Sequence, residues 1–459
     1  MNRELLRICK AVRETGGRVM MVGGSVRDRL LGSESKDLDL EVYGLEPARL
    51  RALLEEIGPV NTVGEHFAVY KLVFYRSSNS QSDKGERFEV DISIPRRESK
   101  SGSGHRGFVI EGDPHMTFEE AARRRDFTIN AILYDPLTEE IIDPFGGVRD
   151  LDRRILRAVA ADTFIEDSLR VLRAMQFAAR FHLEIAAETI ELCRTIELSD
   201  LPRERIWGEV EKLLLLAERP STGLQAAMDL RILDKLFPEI RILAEIEGHT
   251  GEGAFLHTKT CLDEAVGLRS ELPKEKLLAV MLAVLCHDLV IPTNGRGADA
   301  DKYSNRHSQE PALSILETLG LHTLSGYDVR TQVLALAREY RKPQEFFRDY
   351  RNGLNERLSN GRIRRLAAKV ELDLLCRVSR ACAIGSRSPQ IAEDWFVERA
   401  RELEVEHFAP APLLRGRHLI EAGFKPGPRM GEILKRVYEL QLDEEVTTLE
   451  EALAAALRD

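Results

Sequence analysis

Asp37 and Asp39, one residue apart in the run DLDL, are the side chains of this sequence best suited to hold a catalytic metal. If the run is a strand, residues i and i+2 leave by the same face, so the two aspartates form one paired-carboxylate surface. Hard oxygen ligands of this kind suit Mg²⁺. Just upstream, Gly23 and Gly24 allow the backbone to approach a ligand closely, and Ser25 stands where a helix N-cap would. The free N–H groups of the helix that follows suit a phosphate. A phosphate cradle beside two metal-binding acids fits phosphoryl or nucleotidyl transfer by two metals. Alone, a D-x-D is usually a turn or a solvated strand face, and G-G before a helix is ordinary. The ordered set G-G-x-V-R-D, then L-L-G, then D-L-D-L is much rarer.

Positioning these groups requires a strand over residues 18–22, a helix entered near Ser25 and ended by Gly32, and a second strand through the aspartates. A helix over 46–57 follows, and residues 68–74 and 88–94 alternate in the strand manner. Asp91 on the latter is either a third carboxylate of the catalytic face or a solvated strand acid. Residues 76–87 read as a polar loop. Residues 95–107 carry Arg96, Arg97, Lys100 and Arg106 among Gly and Ser, and read either as a basic surface loop or as a flexible loop that closes over substrate.

In FEEAARRRDFTINAILYD, Arg123, Arg124 and Arg125 precede a segment, 127–133, apolar enough to be buried. Either the arginines are a solvated run at a helix end, or an anion meets them; the guanidinium fork suits triphosphate oxygens. Asp126 can cap or orient them, and Asp143-Pro-Phe-Gly-Gly147 reads as a turn closing the domain. From about residue 160 the pattern becomes helical. On a helix expected over 164–181, Asp167 and Arg170 are three apart and therefore neighbours. They are an i,i+3 ion pair, or a donor and acceptor that read a base edge. A helix over 201–216 carries Glu204 and Arg205, which we treat as structural. His257, His287, Asp288 and His307 form a second group, imidazoles and a carboxylate on separate helices being able to bind a divalent metal. Near the C-terminus a turn at Gly423, Pro426, Gly427 and Pro428 is flanked by Lys425, Arg429, Lys435 and Arg436. It is a plain connector or a clamp for an RNA backbone.

Taken together, GGSVRD with DLDL, RRDFTINA and EDSLRVLR resemble the motifs of the class II tRNA nucleotidyltransferases (CCA-adding enzymes) and their bacterial poly(A) polymerase relatives, within the polymerase-β superfamily. The resemblance implies an α+β fold: a polymerase-β-like nucleotidyltransferase head (1–160), then an all-α neck with the base-selecting motif (161–244), an HD-like domain (245–345) and a tRNA-binding body and tail (346–459). It implies transfer of C and A nucleotides from CTP and ATP to the tRNA 3′ end. Asp37 and Asp39 would be the catalytic ligands of two Mg²⁺ ions. Gly23, Gly24, Ser25, Arg27, Arg124 and Arg125 would hold phosphates, and Asp167 and Arg170, supported by Arg173, would select the base. The loop at 95–107 would help the switch from C to A addition. His257, His287 and Asp288 resemble part of an HD phosphohydrolase site that could hold a further divalent metal. Leu289-Val290-Ile291-Pro292 replaces the glycine and lysine common after the HD pair, and Asp328 is only a candidate for the final acid. That domain keeps the fold with or without its hydrolase chemistry. Rival readings are A-only or CC-only addition, poly(A) synthesis or, in a different class, an HD-type phosphohydrolase; the intact D-x-D and R-R-D argue against the last.

The totals are compatible. At 459 residues the chain exceeds one core, and three or four domains are expected. A net charge of −10 argues against a surface coated in nucleic acid, so RNA contact must rest on local basic segments. Six cysteines without C-x-x-C spacing fit a reduced cytoplasm, and no apolar run is long enough for a membrane span.

Overall fold

The computed structural model describes residues 3–33, 37–63, 69–75, 87–100, 108–245, 253–269, 272–289, 309–353 and 356–458. They fall into two units, Met1–Pro202 with Asp229–Ile232, and Arg203–Met228 with Leu233–Asp459. The architecture is α+β, and among the described residues every sheet lies in the first unit.

The first nine strands are β1 (Arg18–Val22), β2 (Asp37–Tyr43), β3 (Val60–Val63), β4 (Val69–Tyr75), β5 (Arg87–Ser93), β6 (Arg96–Lys100), β7 (Phe108–Gly112), β8 (Leu133–Tyr134) and β9 (Ile141–Ile142), and two short ones, β10 (Ile155–Leu156) and β11 (Glu184–Ile185), pair with each other. Seven of them form a mixed sheet in the order β3-β4-β5-β2-β1-β8-β9. Central β2 runs antiparallel to β1 and parallel to β5, with Asp39 opposite Asp91. Its alternation explains its place. Leu40 and Val42 enter a core shared with Leu5, Ile8, Leu50 and Leu54 of helices α1 (Arg3–Glu14) and α3 (Pro47–Ile57), whereas Asp39 and Glu41 occupy the other face. Strand β1 divides likewise, Val19 and Met21 into that core and Met20 and Val22 into a second one with Tyr43, Ala121 and Leu133.

Two expectations change here. Residues 96–100 are not loop but strand β6, paired with β7 in an antiparallel hairpin, and Arg97 Nε donates to Asp113 at 2.9 Å. Residues 101–107, including Arg106, lie outside the described residues, as do most of 76–87. The helix expected over 164–181 is two helices, a single turn at Ala161–Phe164 and a longer one, Leu169–Phe181, so Asp167 precedes the second helix rather than lying within it.

The second unit is helical. Helix Lys274–Cys286 is apolar on all sides, and Leu278 to Cys286 are buried without exception, so it is a core helix. Helices Ala254–Val266, Val329–Glu339 and Leu372–Gly385 pack around it. Gly385 permits the closest approach, since a Cβ there would lie 2.5 Å from Cys261 Sγ. No helix among the described residues is long and apolar enough to cross a membrane.

Candidate active site

The site assembles on the polar face of β2 and β5. Asp37 opens β2 in register with Glu89, and Asp39 follows two residues later, exposed and opposite Asp91. Among the described residues Asp91 Oδ1 is buried and makes no hydrogen bond, with Lys71 Nζ 3.4 Å away and also 2.8 Å from Glu89. Asp91 is therefore a neighbour of Asp39 on one face, paired with Lys71 but with Oδ1 left without a hydrogen bond among the described residues. An exposed carboxylate beside another with an unsatisfied oxygen is a donor set that fits a hard divalent cation.

The glycine turn reaches the same place. Gly23 has φ +67°, and a Cβ added there would lie 3.2 Å from Arg125 NH1 and 4.0 Å from Asp39 Oδ2. A side chain at this point would intrude between the acid and the arginine. Ser25 is not the N-cap. Helix α2 (Gly24–Leu30) starts one residue earlier, capped by Gly23, and the buried Ser25 hydroxyl donates to the Val22 carbonyl at 2.8 Å.

Thr117 opens helix α4 (Phe118–Arg123) with a capping box to Glu120, and the arginines follow at its end. Arg123 turns outward to Asp162. Arg124 NH2 donates to Glu41 Oε1 at 3.3 Å, and Arg125 NH2 lies 3.5 Å from Glu41 Oε2. Glu41 is 2% exposed and also accepts from Tyr43 OH at 2.7 Å. Burial, with Glu41 beside it, pushes the Tyr43 phenol well up, so it remains a donor. The anion that meets these arginines is thus first a fixed carboxylate of the protein. Glu41 is absent from the sequence reading, although the alternation 37, 39, 41 pointed to it.

Asp126 does not orient Arg124 and Arg125. It is buried, accepts from Phe127 N–H and Asn130 Nδ2, and takes Arg173 Nε at 2.7 Å. Burial alone would raise its pKa; Arg173 and these hydrogen bonds overcome that and hold it below the usual carboxylate range. Asn130 Oδ1 in turn accepts from Arg27 NH1 at 2.8 Å. Arg27 is 4% exposed, donates through Nε and NH2 to Asp28, and lies 4.1 Å from the centroid of the Phe181 ring. Its guanidinium braces the turn from within; a direct phosphate contact would require it to leave these partners. Asn130, which sequence reading also missed, joins the first motif to the third through the chain Arg27–Asn130–Asp126–Arg173. Fully buried Phe127 packs edge-on against Phe164 and Phe177 across the same join.

Arg170 remains next to Asp167, its N–H donating to the Asp167 carbonyl at 3.0 Å. Its NH1 donates to Thr163 O at 2.9 Å and its NH2 to Arg124 O at 2.6 Å. The base-selecting candidate is therefore bonded to the backbone of a triphosphate candidate. Asp167 Oδ1 accepts from Leu169 N–H at 3.2 Å.

In the second unit, His257, His287 and Asp288 do converge. Asp288 Oδ2 lies 3.6 Å from His257 Nε2 and 3.4 Å from His287 Nε2. Cys261 joins them, a residue sequence reading passed over because no second cysteine stands near it. Asp328 does not; it caps helix Val329–Glu339 through Thr331 N–H. His307 lies outside the described residues. At the tail, Pro428 starts helix Pro428–Leu442 after Gly427, and Lys425 and Arg429 are exposed beside the turn.

Residues 19–157 match the family described as Poly A polymerase head domain, and 182–243 the one described as Probable RNA and SrmB- binding site of polymerase A. The chain is 33% identical over 442 residues to the Multifunctional CCA protein of Stenotrophomonas maltophilia (strain K279a), across 91% of this chain and 97% of that one. It is 33% identical over 431 residues to the protein of the same name from Xanthomonas campestris pv. campestris (strain B100), across 91% and 96%. Among solved structures, a CCA-adding enzyme with CTP aligns with TM-score 0.62 at 19% identity over 100% of this chain and 96% of that one. The Thermotoga maritima CCA-adding enzyme complexed with tRNA aligns with TM-score 0.58 at 19% identity, over the same shares. These structural likenesses concern the fold.

Proposed function

The chain belongs to the family of class II CCA-adding enzymes and bacterial poly(A) polymerases, and from that premise we propose that it adds C, C and A from CTP and ATP to the 3′ end of tRNA. The observation that carries the proposal is the convergence of Asp39 and Asp91, on neighbouring strands, with Arg125 against Gly23. An acidic cation site thereby meets a basic, glycine-lined cradle. The near full-length match to proteins named for CCA supports this reading over A-only, CC-only or poly(A) synthesis.

The family is dependent on divalent metal. We assign two Mg²⁺ to Asp37 and Asp39, with Asp91 beside them. When bound, such ions supply the Lewis acidity that lowers the pKa of the terminal 3′-hydroxyl and offsets the triphosphate charge. Arg124 and Arg125, oriented by Glu41, hold the triphosphate, and Gly23 and Gly24 allow it close to the backbone; Ser25 and Arg27 fix the shape of that turn. The transfer forms a bond from the 3′ oxygen to the α-phosphorus and breaks the bond to pyrophosphate, and the hydroxyl proton passes to solvent without a side-chain base. Asp167 and Arg170 present an acceptor and a donor to the incoming base, with Arg173 holding the helix start. Hairpin β6–β7 takes the part of the loop that favours A addition, and the turn at 423–428 contacts the tRNA backbone. A cytoplasmic location suits this substrate and the six free cysteines.

Extension of three transcripts tests the proposal: tRNA lacking CCA, tRNA ending in CC, and an unrelated RNA, each with CTP, ATP and both. Addition of C, C and A to the first, then a stop, is expected. Only A on the second would make it an A-adding enzyme, and long A tails on the third a poly(A) polymerase.

A further inference from the structure

Lys71 is the single charged residue in the run VYKLVFY of strand β4. Alternation sends its neighbours Tyr70 and Leu72 into the core shared with α1 and α3, so Lys71 leaves by the opposite face of the sheet. That is the face of Asp39, Asp91 and Glu41, and register sets the charges there in rows. Lys71 stands opposite Asp91, which stands opposite Asp39. One row along, Val73 stands opposite Glu89, and Glu89 opposite Asp37. On the other side of that central row, Ser93 stands opposite Glu41.

Like charges side by side on neighbouring strands repel, so this arrangement costs stability unless cations answer it. Among the described residues they do so from two sides. Arg124 and Arg125 lie against Glu41 on one. On the other, Lys71 Nζ donates to Glu89 Oε2 at 2.8 Å and lies 3.4 Å from Asp91 Oδ1. The Lys71 and Glu89 side chains are 32% and 33% exposed, so water screens this charge only in part. The two contacts are unequal. Glu89 takes the hydrogen bond, whereas Asp91 Oδ1 feels the charge and receives no bond among the described residues. The lysine therefore steadies Asp91 without filling the coordination position of that oxygen. A divalent ion that reaches Asp39 and Asp91 must sit close to this ammonium, and the two cations repel.

We propose that Lys71 is a positioning residue of this face, a resident counter-cation that holds Glu89 and Asp91 together and weakens the grip of Asp39 and Asp91 on a divalent ion. Firm binding of that ion then needs the triphosphate as a further ligand. The inference rests on the assignment of these carboxylates to metal. It adds a residue that binds neither nucleotide nor ion and acts through Asp91.

The test is Mn²⁺ binding to the full-length protein without nucleotide, read from the electron paramagnetic resonance of free Mn²⁺. Each titration is repeated with Asp39→Ala, and the binding lost on that substitution is the binding of this face. Lys71→Met should tighten the Asp39-dependent binding by about tenfold or more, as expected when a nearby positive charge is removed. Lys71→Arg keeps the charge and should stay near wild type. Without metal, Lys71→Met should melt below wild type, and Mn²⁺ should raise its midpoint further than it raises that of wild type. A lysine that only braced the strand would, on removal, leave the affinity unchanged or loosen it. Asp39-dependent affinity equal to or weaker than wild type in Lys71→Met would therefore overturn the proposal and leave the metal assignment standing. Mn²⁺ binding indifferent to Asp39→Ala would overturn the assignment itself, and this proposal with it.

Discussion

Two carboxylates of the first unit have opposite duties, and their surroundings say which is which. Asp39 is exposed and contributes little to the core. Asp39→Ala is expected to cut single-turnover nucleotide incorporation by at least about a thousandfold while changing stability by less than about 0.5 kcal/mol. Retained incorporation would remove the metal assignment. Asp126 is buried, ionised and held by Arg173. Because its folded pKa lies below the unfolded value of about 3.9, its contribution is fully present above that pH and fades as pH falls through the folded value. Arg173→Leu leaves that carboxylate without its cation, which should cost about 3–5 kcal/mol at neutral pH. Burial then dominates and raises the folded pKa of Asp126, so the variant's stability deficit relative to wild type should shrink as pH falls; a deficit independent of pH would refute the pairing. Glu41→Gln should loosen Arg124 and Arg125 equally for every nucleotide. It should raise KM for CTP and ATP together by about tenfold, as expected for loss of roughly 1.4 kcal/mol of uniform binding, and leave their ratio unchanged.

At the scale of elements, helix Leu169–Phe181 begins where the residues proposed to select the base and to hold the triphosphate meet. Arg170 ties the carbonyls of Thr163 and Arg124. Arg170→Ala should therefore shrink the preference for the correct nucleotide, judged by kcat/KM for CTP against ATP on each tRNA end, by about tenfold or more. An unmoved ratio would count against a reading role. Strand β2 was legible in the sequence because its alternation is complete: leucines into one core, acids onto the other face. Hairpin β6–β7 was not, because RRESK, the sequence of its first strand, has no apolar residue with which to show a period of two. The helix break near 165–168 was hidden because Ile165 and Leu169 keep a helical spacing across it. Ser25 was misread as a cap because serine at a helix start usually serves as one; here Gly23 bears the positive φ, and the hydroxyl bonds backwards.

For the whole chain, the net charge of −10 and an RNA substrate are compatible only if contact is local. Lys425 and Arg429 are exposed at the tail turn. Lys425→Glu with Arg429→Glu should weaken tRNA binding at low salt and lower the slope of log affinity against log salt by about 1–2. The slope should be unaltered if the turn is a plain connector. The order of motifs along the sequence announced that Asp37 and Asp39 share a strand next to that of Asp91. It did not announce Glu41, Asn130 or Cys261, because each acts through a neighbour that is distant in sequence or on another helix turn.

The continuous chain Arg27–Asn130–Asp126–Arg173 has a bearing on evolution. One set of hydrogen bonds supports both the turn proposed to shape the catalytic cradle and the helix whose start is proposed to select the base. On the proposed roles, accuracy and speed share a single mechanical support. A substitution anywhere along it alters both, and lineages that change nucleotide preference should change these four residues in concert or leave them untouched.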